Sequence, residues 1–186
     1  PLETEALLRD FARDEIPLLL QQPACSAIFA VELDMIQRDT GAPMVPVHTT
    51  YHHPAFARLA QWTQSSQTPV GRIEQVVVER ALHDRSDGHV RQVLARDAML
   101  LRRMLGKFQQ VGAMSAKGSL SLANLSVQIT AEHGTVARWS VLPVTQQAGA
   151  VFNLIGETGK ITLAMPDQGT WTLSSTSEEL PQKELE

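Results

Sequence analysis

Hydrophobic residues recur along the first part of the chain with the spacing of a helix and then of a buried strand. Leu7, Leu8 and Phe11 fall on one side of a helical wheel, which predicts an amphipathic helix over residues 4–13. The continuous apolar run at residues 16–20 predicts a short strand that is buried on both faces of a parallel sheet. The chain is therefore expected to open with a helix followed by a strand.

A second helix and a second strand follow at the spacing of a crossover connection. Phe29, Leu33 and Ile36 recur at helical spacing, and Gly41 supplies a left-handed stop after them. Another apolar run comes next, so residues 16–48 have the length and the pattern of one β-α-β unit. We expect the two strands of this unit to pair in parallel.

The middle of the chain predicts a short helix, a strand and the most regular helix of the sequence. The short helix is expected at residues 54–63, and the strand, which is rich in β-branched residues, at residues 73–82. Apolar residues then recur with helical periodicity over residues 90–105, and Gly106 ends the pattern. Asp97 occupies the centre of this apolar stripe.

From residue 108 onward the pattern changes to strands separated by turns. Leu125, Val127 and Ile129 alternate with polar residues, as a half-buried strand requires. We expect an antiparallel meander of about five strands between residues 108 and 175. Three of its turns place a glycine where a hairpin needs a positive φ: Gly134, Gly159 and Gly169.

Together these elements predict a mixed α/β fold of the α+β kind with two domains. Residues 1–65 are expected to form a partial Rossmann-like unit, the C-terminal half of a dinucleotide-binding domain, because a lone crossover usually belongs to a doubly wound sheet. Residues 66–176 are expected to form a C-terminal α/β domain, in which a large and mostly antiparallel open sheet packs on helices. Residues 177–186 read as a polar tail.

Composition and charge narrow the classes of partner. The chain has 186 residues, a formal net charge of -4 and a sequence pI near 5.9, which argues against a nucleic-acid partner. Its apolar runs are far shorter than the roughly 20 residues of a membrane-spanning helix, so no membrane attachment is expected. Cys25 is the single cysteine and cannot form an internal disulfide, which favours a cytoplasmic location.

Histidines and the cysteine offer only weak candidates for chemistry. His48, His52 and His53 lie at the end of a predicted parallel strand, where open α/β sheets place ligands. No H-E-x-x-H or C-x-x-C motif accompanies them, so we expect them to line a polar cleft or the surface and predict no metal site. Cys25 precedes a predicted helix that would lower the pKa of its thiol, but no histidine is identified as its partner, which favours a structural role.

Asp97 has two interpretations that the sequence leaves open. A carboxylate in an apolar stripe must be paired, hydrogen-bonded or protonated. It is either a site residue that points into a ligand cleft or a buried anchor that pairs with one of three arginines: Arg58, Arg72 or Arg80.

Three segments and a later hairpin resemble, in their order along the chain, the glucose-fructose oxidoreductase / inositol dehydrogenase (Gfo/Idh/MocA) family. Residues 16–23, with the helix and strand after them, resemble the strand, E-K-P motif and helix of that family. Residues 53–76 are similar to the passage from the last Rossmann elements into the first strand of the substrate domain. Residues 92–106 resemble the helix that carries an aspartate and, four residues on, a catalytic histidine, and residues 154–163 resemble a late hairpin.

This resemblance implies the fold and the chemistry of a two-domain dehydrogenase. Family members bind NAD or NADP in an N-terminal Rossmann domain, and the open sheet of their C-terminal domain helps to bind substrate and often forms the oligomer interface. No G-x-G-x-x-G motif occurs in this sequence, so we expect that the glycine-rich first half of the Rossmann domain is missing and that the chain binds neither cofactor tightly. We also expect a homo-oligomer, such as a dimer, formed through the antiparallel sheet.

The departures from the family pattern affect the positions that carry catalysis. The family's lysine, aspartate and histidine match Gln22, Gln92 and Arg96, and neither an amide nor a guanidinium acts as a general base near neutral pH. The sequence therefore predicts a Gfo/Idh/MocA-type protein of the sugar and polyol dehydrogenases that is a pseudoenzyme. The alternative is a non-catalytic module for dimerisation or for binding a sugar-like or polyol ligand. The further candidates for its ligand cleft are Gln21, Pro23, His52, His53 and Asp97.

Overall fold

A computed structural model describes residues 2–21, 27–65, 67–115 and 121–177 of the chain. Four helices and nine strands lie in this described part. In chain order they are α1 (Leu2–Arg13), β1 (Leu18–Gln21), α2 (Ala27–Thr40), β2 (Met44–Val47), α3 (Pro54–Thr63), β3 (Ile73–Leu82), α4 (Asp87–Leu105), β4 (Phe108–Met114), β5 (Ser126–Ala131), β6 (Val136–Pro143), β7 (Gly149–Gly156), β8 (Lys160–Pro166) and β9 (Thr172–Ser175). Short 3₁₀ turns occupy Thr49–His52 and Leu122–Asn124. The predicted mixed α/β fold class is confirmed.

The chain divides into two compact units, of which the first is Pro1–Thr49. In this unit β1 pairs in parallel with β2, in the register Leu18 to Met44, and α2 connects the two strands. The predicted β-α-β crossover is therefore confirmed. Its core gathers the buried side chains of both helices and of β1: Ala12, Leu18, Phe29 and Leu33.

The prediction that the first strand is buried on both faces is wrong. Leu18 is 8% exposed, whereas its neighbour Leu19 is 78% exposed. Side chains of successive residues point to opposite faces of a strand, so in the described residues only the face that bears Leu18 is covered by the helices of the first unit. A sheet of two strands with helices on one side leaves the other face open.

The second unit, Thr50–Glu186, is built on a sheet of seven strands. The strand order is β4-β5-β6-β3-β7-β8-β9, and every pair is antiparallel except β3 with β6. The prediction of one continuous meander is wrong, because β3 separates β6 from β7. The six strands that follow α4 are close to the predicted number of about five. Val76, Val77 and Val78 are all buried, and a strand with apolar residues on both faces is favoured at the centre of a sheet.

Helices α3 and α4 contribute to the same core as the sheet. Phe56 and Leu59 of α3 are fully buried in this core, and the ring of Phe56 meets the ring of Phe152 on β7 edge to face, with centroids 6.1 Å apart. The two units divide between Thr49 and Thr50, some sixteen residues before the predicted domain boundary at residue 65, because α3 packs with the second unit.

Glycines end two helices as the sequence predicts, but one predicted turn differs. Gly41 and Gly106 have positive φ values of 74° and 75°, which favour glycine at the end of a helix. Gly159 does not adopt the predicted positive φ. A Cβ at this position would lie 2.7 Å from the hydroxyl of Thr176 and 2.5 Å from that of Ser177, so these side chains would have to rotate away from a larger residue.

Candidate functional site

Part of the predicted site lies outside the described residues. Gln22, Pro23 and Cys25 belong to the segment between β1 and α2 that the structure does not describe. Gln21 is the last residue of β1. His48 directly follows β2 and is only 3% exposed. The prediction that it lines a polar cleft or the surface is therefore wrong, because its side chain is buried.

Asp97 is the most buried charged group of the second unit, with no exposed surface. Arg80 on β3 donates from Nε to Oδ2 at 2.6 Å and from an Nη to Oδ1 at 2.5 Å. Trp139 on β6 donates from Nε1 to Oδ2 at 2.8 Å. The assignment of Asp97 to a ligand cleft is therefore wrong, because its carboxylate is enclosed, and the alternative of an anchor that pairs with Arg80 is confirmed.

The anchor fixes the rotation of α4 over the sheet. Three donors from two strands converge on one carboxylate, so Asp97 can satisfy them in only one orientation of the helix. The residues before it on the helix then take defined positions. Gln92 is exposed and Arg96 is half-buried, one turn apart on the same side of α4.

Arg96 is a guanidinium that is partly removed from water. Burial is the largest cause that lowers its pKa, and the positive charge of Arg80 lowers it further, while Asp97 and Asp167 oppose the shift. Within the described part of the chain, Arg96 forms no salt bridge and no side-chain hydrogen bond. Its charge is therefore available to an anionic or hydroxyl-bearing ligand.

Sequence reasoning missed Asp167 as a neighbour of Arg96. Asp167 lies in the turn between β8 and β9, about seventy residues away along the chain, and it is exposed. The turn itself is recognisable from Asp167-Gln168-Gly169, but its position beside α4 depends on the strand order of the sheet. The backbone N–H of Asp167 donates to the carbonyl of Ala148 at 3.0 Å, which ties this turn to the start of β7.

His52 and His53 differ in their surroundings within the second unit. His52 is exposed, whereas the Nδ1 of His53 accepts from the backbone N–H of Ala55 at 3.3 Å and caps α3. The imidazole of His53 also stacks on Trp171, with ring centroids 3.8 Å apart, and burial lowers its pKa. The geometry gives His53 a structural role as a cap, and ligand binding by either histidine stays a prediction.

The described residues contain neither a cluster of metal ligands nor a helix that could span a membrane. In the ranges given above, no three His, Cys, Asp or Glu side chains come together as ligands of a metal ion would. Among the helices of the same ranges, none combines the length and the apolar character needed to cross a membrane.

Comparisons by sequence alone identify no relative: no family model matches the chain, and none of the curated proteins matches it. Solved structures do share its fold. UDP-N-acetylglucosamine 3-dehydrogenase GnnA from Acidithiobacillus ferrooxidans aligns with a TM-score of 0.72 at 15% identity, over 99% of this chain and 62% of that one.

Two further structures of enzymes with bound cofactors align comparably. The WlbA dehydrogenase from Chromobacterium violaceum, in complex with NADH and UDP-GlcNAcA, has a TM-score of 0.68 and 12% identity over 89% of this chain and 56% of its own. Biliverdin reductase from Synechocystis, with biliverdin and NADP⁺, has a TM-score of 0.65 and 15% identity over 95% of this chain and 60% of its own.

The chain thus spans between 56% and 62% of the length of these three structures. Their substrates differ, from nucleotide sugars to a tetrapyrrole, so the shared fold does not select a substrate for this chain. The identities are low, and the likeness concerns the fold. The resemblance found in the sequence is confirmed at that level, because the chain has the fold of Gfo/Idh/MocA-type oxidoreductases.

Proposed function

We propose that this chain belongs to an oxidoreductase-like protein of the Gfo/Idh/MocA type, in the class of sugar and polyol dehydrogenases, and that its second unit binds a ligand without catalysing hydride transfer. The shared fold supports the first part of the proposal. The second part rests on the side chains at Gln92 and Arg96.

The proposal rests on Arg96, a half-buried arginine without an ion partner, at the position that the sequence resemblance matches to the family's catalytic histidine. Burial and Arg80 lower the pKa of Arg96, but an arginine keeps its proton at neutral pH even so. Gln92, one turn earlier, carries an amide that does not titrate. Neither residue can accept a proton from a substrate hydroxyl, so the group needed for hydride transfer from an alcohol is absent at these positions.

Arg96 and Gln92 are suited to holding a ligand instead. A guanidinium presents a planar fork of N–H donors to a carboxylate or to vicinal hydroxyl groups, and partial burial strengthens these hydrogen bonds. The amide of Gln92 both donates and accepts, as hydroxyl groups require. We expect a sugar-like or polyol ligand, with a carboxylate directed at Arg96 where the ligand carries one.

The segments that follow β1 and β2 lack the residues that a dinucleotide cofactor requires. The pyrophosphate of NAD or NADP lies against a glycine-rich turn at a helix N-terminus, where a Cβ would block its approach. Residues 22–26, between β1 and α2, contain no glycine, and neither does the Thr49–His52 turn after β2. No reaction step is therefore assigned to a cofactor on this chain, and calorimetric titration with NAD(H) and NADP(H) is expected to give no micromolar binding.

Two measurements test the proposal. A spectrophotometric assay with NAD⁺ or NADP⁺ and a panel of sugars and polyols is expected to show no turnover, and measurable turnover would refute catalytic inactivity. Saturation-transfer NMR with glucuronate and with glucose is expected to favour the carboxylate-bearing sugar. R96Q should abolish that preference, while R91Q, an exposed arginine on another face of α4, should retain it. An unchanged preference in R96Q contradicts the assignment of Arg96.

The alternative candidate is a dimerisation module that uses the face of the sheet opposite α3 and α4. On this face Val77, Val151 and Ile155 lie among polar residues such as Asn153 and Arg138. None of the three belongs to the core that α3 and α4 share with the sheet, and Val151 and Ile155 are partly exposed. A second copy of the chain is the partner that we propose for this face, because a symmetric contact can pair the same mixed surface with itself.

Light scattering tests this dimer. I155K, which places a charge on the open face, is expected to shift the protein from dimer to monomer. V111E is the control, because Val111 is 59% exposed at the edge strand β4 and its register with Ile129 directs it to the opposite face. A wild-type monomer at high concentration would rule the dimer out.

A cytoplasmic location remains a proposal that rests on the single cysteine.

A further inference from the structure

A groove of about 830 Å³ separates the solvent-facing sides of α3 and α4 in the second unit. Alanines of both helices line it, so the two backbones leave room between them. Four polar side chains and two aromatic rings also line the groove: Gln61, Gln64, Arg102, Arg103, Tyr51 and Phe108. The volume lies within the range of small-molecule sites.

Two arginines in this groove lie within cation–π distance of aromatic rings. The guanidinium of Arg103 lies 5.5 Å from the ring centroid of Tyr51, and that of Arg102 lies 5.9 Å from the ring centroid of Phe108. A cation–π contact does not use up the N–H donors of a guanidinium as an ion pair would. Within the described part of the chain, neither side chain forms a salt bridge.

The backbone that carries these arginines is fixed to α3. The Nε2 of Gln64 donates to the carbonyl of Arg103 at 2.8 Å, and the hydroxyl of Thr63 donates to the carbonyl of Met104 at 2.8 Å. These bonds satisfy carbonyls in the last turn of α4, which have no partner within the helix. The two guanidinium groups are therefore presented from a braced helix end, and less order is lost when a ligand binds.

Charge makes the groove selective for anions. Among the described residues, no Asp or Glu lines it. The two helices carry five arginines: Arg58, Arg91, Arg96, Arg102 and Arg103. Their two aspartates do not offset this charge at the groove, since Asp97 is buried against Arg80 and Asp87, at the start of α4, accepts from the backbone N–H of Leu122.

Positively charged residues are also unevenly distributed along the chain, and most of them lie in the second unit. Residues 50–177 contain twelve Lys and Arg and eight Asp and Glu, a formal charge of +4. Residues 178–186 add a charge of -3, so the second unit carries +1, while the chain as a whole carries -4. The groove thus lies in a positive segment of an acidic protein. An acidic protein disfavours a long polyanion, whereas a local positive groove attracts a small one.

We propose that the groove between α3 and α4 binds a small ligand through a phosphate or diphosphate group. Two guanidinium forks without carboxylate partners match the oxygens of such a group, and Gln61 offers an amide beside them. The rings of Tyr51 and Phe108 lie within cation–π distance of the two guanidinium groups and favour their position at the groove. This proposal does not depend on ligand binding at Arg96.

Calorimetric titration of the full chain with pyrophosphate at low ionic strength tests the proposal. We expect saturable binding to one site, weakened by added salt. R102Q and R103Q should each weaken it about tenfold, since each removes a charge-assisted hydrogen bond. R103K, which keeps the charge but loses the planar fork, should lie between R103Q and wild type. R91Q removes an exposed arginine of α4 that does not line the groove, and it should bind as wild type does.

Several outcomes would overturn the site. Absence of saturable binding for both phosphate and pyrophosphate does so directly. An equal loss in R91Q and R103Q would show that diffuse charge, and no defined groove, attracts the anion. Tighter binding of a single-stranded oligonucleotide than of pyrophosphate, with the same dependence on Arg102 and Arg103, would replace the small ligand by a nucleic acid. Circular-dichroism melting of each variant excludes loss of folding as the cause, and R103K provides the test if R103Q is unstable.

Discussion

At the scale of single residues, the interior of the second unit depends on one carboxylate. Asp97 occupies a position that the helical period assigns to an apolar residue, and its burial is offset by three short hydrogen bonds from Arg80 and Trp139. The sequence identifies the anomaly and includes Arg80 among three possible partners. It cannot choose among them, because the choice depends on which strand lies beneath α4.

Substitution of Asp97 is expected to destabilise the second unit strongly. D97A leaves the guanidinium of Arg80, which is only 5% exposed, buried without a counter-charge. Breaking a buried pair in this way costs about 3–5 kcal/mol of unfolding free energy. Urea denaturation followed by tryptophan fluorescence measures the change.

The matched control removes both charges at once. D97L with R80M replaces the pair by apolar side chains of similar volume, so the double variant should lose less stability than D97A alone. If D97A and the double variant lose the same free energy, the pair does not behave as a coupled unit. A loss in D97A below about 1 kcal/mol would show that Arg80 finds water or another partner.

His53 is expected to make the stability of the second unit depend on pH. Burial lowers the pKa of the folded imidazole, so the unfolded chain binds a proton more readily than the folded one. Stability is therefore full above the ordinary histidine pKa of about 6.5 and falls as the pH drops through that value. Protonation also removes the Nδ1 acceptor that caps α3. Urea denaturation between about pH 7.5 and pH 5 measures this dependence.

H53N separates the cap from the titration. Asparagine keeps an acceptor at the N-cap but carries no titrating group, so H53N should flatten the pH dependence relative to wild type and keep most of the stability at high pH. H53A should lose about 1 kcal/mol at high pH, since it removes the cap, and its difference from wild type should shrink as the pH falls and protonation removes the wild-type cap too. A wild-type pH dependence that persists unchanged in H53N would assign the effect to another histidine.

At the scale of elements, the sequence predicts what is local and misses what is not. The bounds of α3 and β3 match the expectation, and α4 is predicted correctly except that it begins at Asp87 rather than at residue 90. The sequence does not predict that β3 interrupts the meander, because β3 pairs with strands that follow it by more than fifty residues, and no local pattern records such a pairing. The approach of Asp167 to Arg96 depends on the same strand order.

Gly149 is expected to be the least replaceable residue of the β7 and β8 pairing. Its φ is 147°, and a Cβ at this position would lie 2.4 Å from the carbonyl oxygen of Met165 and 2.7 Å from Cα of Pro166. G149A should therefore separate the strand ends and destabilise the second unit by about 1–3 kcal/mol. Because this strand end positions Asp167, the same variant should also alter ligand binding at Arg96. Thermal melting and ligand titration measure the two effects.

Gly112 on β4 provides the control for Gly149. A Cβ at Gly112 meets nothing within 4 Å, and its φ is not positive. G112A is expected to melt as wild type does, or slightly above it, because alanine loses less conformational freedom than glycine in a strand. Equal destabilisation by G149A and G112A would mean that the close approach at Gly149 relaxes at little cost.

At the scale of the whole molecule, two hydrophobic cores of unequal size define two units. The core of the second unit includes buried side chains of α3 and α4, Val76 and Val78 of β3, and the inner face of the sheet. In the part of the first unit that the structure describes, the core cluster has four buried residues. The sequence predicts both units but places their boundary near residue 65. It fails there because the short helix at residues 54–63 has the same amphipathic pattern whichever core receives it.

Truncation distinguishes the two boundaries. Residues 50–186 retain every element of the larger core, so this fragment is expected to unfold cooperatively, with a melting temperature close to that of the second transition of the full chain. Residues 66–186, which begin at the boundary predicted from the sequence, lack α3 and expose the core that Phe56 and Leu59 cover. Loss of large buried side chains costs about 2–5 kcal/mol each, so the shorter fragment should melt without a cooperative transition. Differential scanning calorimetry of both fragments makes the comparison, and a cooperative transition of the same enthalpy in residues 66–186 would return α3 to the first unit.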